Sequence, residues 1–170
     1  MNRLVFIVVM IVMGLNQGMQ PIAGYNFGAK LYGRVNKVLR LTIIYATAVT
    51  TFGFLVGMLV PDLVVGIFTS DAELTELSVT GLRITVMFFP IIGFQMVTSN
   101  FFQSIGMAGK AIFLSLTRQM LILLPCLLVL PQFFGVAGVW YSMPVSDLLA
   151  SLIALVMLVC QFRKFRTSPL

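Results

Sequence analysis

The chain has 170 residues, of which 59% are hydrophobic and 9% charged, with a net charge of +6 and a mean hydropathy of +1.05. Soluble domains carry about 25% charged residues, so this composition excludes a water-soluble core and defines an integral membrane protein. The alternating rhythm of outer-membrane barrel strands is missing, which leaves an all-α bundle of about five transmembrane helices, each needing roughly 20 apolar residues.

The first span is expected over residues 4–25. Its opening, LVFIVVMIVM, is plain hydrocarbon, whereas its second half carries Asn16, Gln17 and Gln20 at membrane depth and then Pro21. Pro21 removes a hydrogen bond to the Gln17 carbonyl and predicts a kink. Asn16 and Gln20, four apart, share a face. Gly14/Gly18 and Gly24/Gly28 have the spacing that lets helices approach closely in lipid. A loop from Lys30 to Arg40 follows, with four cations and no acid, and is placed in the cytoplasm by the positive-inside rule.

The second span, 41–60, runs outward and carries Thr42, Thr47, Thr50 and Thr51, whose hydroxyls can bond back to their own helix; Gly53/Gly57 is a further close-approach pair. The loop after it contains Asp62, Asp71, Glu73 and Glu76 and no cation, which suits an outer surface. Ser70 with Glu73 reads as a capping box opening a short surface helix.

The third span, 81–105, runs inward with a kink at Pro90. Below it Gln95, Ser99 and Gln103 form one polar stripe at helical spacing, flanked by Asn100. The fourth span, 111–130, carries Arg118 and Gln119 near its inner end and Pro125 in its interior. Arg118 is expected to meet a helix C-terminus or a lipid phosphate. Residues 131–135 make the outer turn. The fifth span, 136–160, has Pro144, then Ser146 and Asp147 at membrane depth. The tail after it is basic, and residues 166–170 form a cytoplasmic end. Nine of the eleven cations fall on the sides assigned to the cytoplasm, Arg3 and Arg83 excepted.

The positive charge does not point to nucleic acid, because the cations lie between apolar runs and make no basic face with interleaved aromatics. There is no histidine, and Cys126 and Cys160 both lie within apolar runs. Neither a disulfide framework nor a metal site is expected, and no cofactor. The first apolar run lacks a signal-peptide cleavage site. No P-loop is present, and no nucleophile–base set or paired carboxylates suggest an enzyme.

Several stretches together resemble the multidrug and toxic compound extrusion (MATE) family. GLNQGMQPIAGYNFGAK followed by GRVNK resembles the second helix of that family's C-terminal lobe. IFTSDAELTELSVTGLRI resembles the outer loop and the next inward helix. FFQSIGMAGKAIFLSLTRQ and GVAGVWYSMPVSDLLA resemble the later helices. The resemblance implies a twelve-helix transporter of two six-helix lobes, with residues 1–165 as a partial C-terminal lobe lacking its first helix and the N-terminal lobe as its missing partner. It also implies secondary active efflux of small organic, mostly cationic compounds in exchange for H+ or Na+ across a bacterial inner membrane. The branch using an acid in the third span fits poorly, since Gln95, Asn100 and Gln103 stand there without a carboxylate. The alternative is a truncated, non-transporting remnant, or a half-transporter that needs a partner lobe.

On this reading Asn16, Gln17, Gln20, Gln95, Ser99, Asn100 and Gln103 either line a substrate cavity or hold helices together by hydrogen bonds. Asp147, the sole acid within a span, is either a cation or proton site or a packing partner for Ser146 or Ser151. Pro21, Pro90, Pro125 and Pro144 are candidate hinges.

Overall fold

The computed structural model describes residues 2–61, 79 and 81–167. All the regular elements among them are helical. The chain enters through α1 (Asn2–Gly28) and α2 (Tyr32–Leu59). A helical stretch, 81–86, breaks at 87–88 before α3 (Phe89–Ser104). The next span is composite: α4 (Ala108–Leu116), a π-helical segment (Thr117–Leu123) and α5 (Leu124–Phe134). The long α6 (Val136–Thr167) closes the chain. Among the described residues, four stretches are long and apolar enough to cross a membrane: Val5–Gly28, Tyr32–Leu59, Ala108–Phe133 and Tyr141–Lys164. The capping box at Ser70 and Glu73 lies outside the described residues.

The expected loop from Lys30 to Arg40 is mostly helix. Only a tight turn at 29–31 separates α1 from α2, with Lys30 at φ 59°. The reason is a periodicity that the cations obscure. Val35, Leu39, Thr42, Ala46, Thr50, Gly53 and Gly57 recur every three or four residues and are all buried, so Arg34, Lys37 and Arg40 ride on the outer face of one long amphipathic helix. Similarly, α5 runs on through Pro131 to Phe134, and Gly135, at φ 59°, makes the turn into α6.

The prolines fall in different local settings. Pro21 and Pro144 lie inside α1 and α6, which continue past them. Pro90 is the second residue of α3, where its missing N–H has no helical partner to lose. Pro125 likewise stands in the first turn of α5, just after the π segment. The Leu124 N–H reaches back five residues to the Gln119 carbonyl. The ladder thus loosens immediately before the residue that cannot donate to it.

The interior is organised around α3. α1 packs on α2 and α3, α2 packs on α3, and α6 lies against α3, the π segment and α5. One core joins Val12 and Met19 of α1, Leu39 of α2, Phe101 and Phe102 of α3, Leu114 of α4 and Leu158 of α6. A smaller one joins Val8 to Leu82, Val86 and Phe89. The outward faces are apolar as well, with Phe52, Leu59 and Leu121 well exposed, as a lipid-facing surface requires.

Small residues set the helix spacing, but not at every expected place. A Cβ on Gly53 would fall 2.7 Å from the Val8 side chain, and one on Gly57 would fall 3.0 Å from Val86. At Gly14, Gly18 and Gly28 there is nothing within 4 Å, so of the two pairs expected in α1 only Gly24 makes a close approach. Thr42, Thr50, Thr85 and Thr98 each donate to the carbonyl four residues back, at 2.8–3.0 Å. Their hydroxyls therefore need no partner on another helix.

Candidate functional site

α1 and α3 pass each other in parallel register. Gln20 Nε2 donates to Asn100 Oδ1 at 3.3 Å. One turn further along, a Cβ on Gly24 would sit 2.9 Å from the Ser104 carbonyl. Both contacts join a residue of α1 to the one 80 positions later. The same offset sets Asn16 level with Met96, next in sequence to Gln95. Asn16 is 2% and Gln95 4% exposed. Neither polar atom of the Asn16 side chain, nor Gln95 Oε1, has a hydrogen-bond partner among the described residues. A buried amide left unpaired costs about 1–3 kcal/mol, so this layer carries unsatisfied polar groups among the described residues.

Beside that layer lies a cavity of about 160 Å³, lined by Gln95, Met96, Ser99, Asn100, Leu114, Ser115, Arg118 and Gln119. Ser99 and Ser115 face each other across 3.4 Å, and Asn100 Nδ2 donates to the Met96 carbonyl at 2.9 Å. A second cavity of about 280 Å³ shares Met96, Arg118 and Gln119 with the first. Val5, Val9, Phe89, Ile92, Leu123 and Met143 make it largely apolar, while Thr85, Ser146 and Asp147 add polar groups.

Arg118 stands at the junction. Its Nε and one terminal nitrogen both approach Asp147 Oδ1 at 2.7 Å. The Arg118 side chain is 35% exposed and that of Asp147 is 7%. The partner of Asp147 is therefore neither of the hydroxyls considered for it. Ser146 donates to the Met143 carbonyl and Ser151 to the Leu148 carbonyl. Equally, Arg118 meets a carboxylate 29 residues away rather than a helix end or a lipid phosphate. The π segment holds Arg118 in this position, and no apolar periodicity in the sequence reveals that segment. Lys110 Nζ donates to Gln161 Oε1 and lies 5.2 Å from the Phe102 ring centroid, tying the start of α4 to the end of α6.

The polar residues singled out from the sequence divide into three groups. Gln20, Gln95, Ser99 and Asn100 gather on the α1–α3 face or the smaller cavity. Asn16 is buried within the lobe. Gln17 and Gln103 are exposed and line neither cavity, so the expected stripe of Gln95, Ser99 and Gln103 does not act as one surface. Ser115 and Gln119 belong to the site although neither was anticipated; only their place on the face opposite Ser99 identifies them. No group of three or more metal-ligating side chains occurs among the described residues. The arrangement offers neutral hydrogen-bonding groups and one ion pair beside an apolar wall, which is chemistry for holding an amphipathic molecule.

A helical membrane lobe with a polar-and-apolar internal cleft defines a carrier-type membrane protein. The MatE family model matches residues 1–128, and the chain belongs to that family of multidrug efflux transporters. Over 153 residues it is 27% identical to the multidrug export protein MepA of Staphylococcus aureus, an alignment that takes in 90% of this chain and 34% of MepA. The structure of the MATE multidrug transporter DinF-BH, solved as a complex, is similar at a TM-score of 0.89 and 36% identity, over 98% of this chain and 37% of that one. The Vibrio cholerae MATE transporter VcmN, in its bent form, shares the fold at a TM-score of 0.84 and 20% identity, over 94% of this chain and 36% of its own. The chain thus spans about a third of the length of these relatives.

Proposed function

We propose that this chain forms one wall of the substrate pathway of a secondary active multidrug antiporter, the opposite wall being a second lobe. The observation that carries the reading is the Arg118–Asp147 pair at the junction of two cavities, one polar and one apolar. Organic, mostly cationic compounds lie with their apolar bodies against Val9, Phe89, Ile92 and Met143. Their polar groups meet Gln95, Ser99, Asn100 and Gln119. H+ or Na+ supplies the driving gradient, and Asp147, the one acid among the described residues, takes part in the coupling. The multidrug export role of MepA supports this activity. The setting is a bacterial inner membrane with the C-terminus in the cytoplasm. The basic first turns of α2 and the basic end of α6 support that orientation.

The test is efflux of a fluorescent organic cation from cells that produce the chain together with a partner lobe, compared with the Asp147→Asn variant. Efflux is expected to fall and its pH dependence to change. Unchanged efflux with unchanged pH dependence would remove Asp147 from the mechanism. A second reading is a half-transporter that works only with a partner lobe, since alternating access needs two walls that move against each other.

A further inference from the structure

A groove of about 310 Å³ lies between the start of α2 and the end of α6 and shares no lining residue with the polar cleft. Leu39, Ile43, Ile44 and Phe162 make it apolar, and Asn36 and Arg40 stand at its polar end. Arg40 is exposed, and so are Arg34 and Lys37 on the preceding turns. Asp147, the one acid among the described residues, is engaged by Arg118, so these three cations have no carboxylate partner there.

We propose that this groove binds an anionic glycerophospholipid such as phosphatidylglycerol. Two features select that occupant. The groove opens at the basic end of a span, where headgroups and acyl chains meet. Its apolar wall accepts an acyl chain, while the Arg40 guanidinium presents paired donors that suit a phosphate. Basic pockets between membrane helices recognise anionic headgroups by this combination of charge and fit.

The full chain, reconstituted in nanodiscs of equimolar phosphatidylglycerol and phosphatidylcholine, is released and its retained lipids are counted by native mass spectrometry. Retained phosphatidylglycerol is expected to exceed phosphatidylcholine by about fivefold, the preference one well-placed cation gives near an anionic headgroup. Arg40→Gln abolishes most of that preference and Arg40→Lys keeps part of it. Ile44→Trp fills the groove while leaving every cation in place, and lowers the retained lipid of both kinds. Equal retention of the two lipids by the unaltered chain overturns the proposal. Retention by Ile44→Trp equal to the unaltered chain does so too, because the lipid then lies elsewhere. So does cross-linking that finds a polypeptide segment seated against Ile44.

Discussion

Arg118 and Asp147 differ in how much each depends on the other. Asp147 is nearly enclosed, whereas Arg118 keeps about a third of its side chain exposed. Removing the cation leaves a buried carboxylate without its counter-charge, a loss of about 3–5 kcal/mol for a buried pair, with the exposure of Arg118 drawing it toward the lower end. Removing only the charge of Asp147 leaves an amide oxygen that still accepts from Arg118, at about 1 kcal/mol. Arg118→Gln should therefore lower the thermal unfolding midpoint in detergent more than Asp147→Asn does. The double variant should lie well short of the sum, because the second change relieves what the first exposed. Equal single effects that add fully would mean that the two side chains are not coupled.

At the scale of the element, the lobe depends on which glycines touch something. Gly93 of α3 faces Thr50 of α2, and a Cβ there would meet Oγ1 at 2.7 Å and the Ala46 carbonyl at 3.1 Å. Thr50 has little room to yield, since its hydroxyl already donates to that carbonyl at 2.9 Å. Gly93→Ala should destabilise the lobe by about 1–3 kcal/mol through overpacking. Gly18→Ala meets nothing within 4 Å and should change stability by less than about 0.5 kcal/mol. Melting curves of the two variants under one lipid and detergent condition make the comparison. A Gly93→Ala midpoint equal to that of Gly18→Ala would mean that α2 and α3 do not pack as closely as described.

For the whole molecule, the organisation resembles an inside-out soluble protein only in part. Apolar residues cover the outside because lipid is the solvent, and apolar residues also fill the core around Phe101 and Phe102. The polar groups that line the clefts come from α3, α4, the π segment and α6, with Thr85 just before α3. Alternating access requires two bodies that move against each other around such a cleft, and one lobe supplies a single body. Cells producing this chain alone should therefore show no export of a fluorescent organic cation above background, while production with a partner lobe restores it. Export by the isolated chain would mean that it completes its own pathway, for instance by pairing with a second copy.

Hydropathy and the motif stretches were enough to establish an all-α membrane protein and its transporter family, because both depend on local composition and on short ordered strings of residues. The polar residues of the cleft were partly legible for the same reason: Gln95 and Asn100 are conspicuous in apolar surroundings. Helix boundaries were legible only where charge and burial agreed. At α2 they did not, since a helix with one buried stripe tolerates Arg34, Lys37 and Arg40 on its other faces. Tertiary structure alone decided the rest. It placed Asp147 against Arg118, left Gln17 and Gln103 outside the clefts, and brought Ser115 and Gln119 into the smaller one. Each outcome depends on the rotation of one helix about its axis relative to another, and a π segment shifts that rotation without any mark in the hydrophobic pattern.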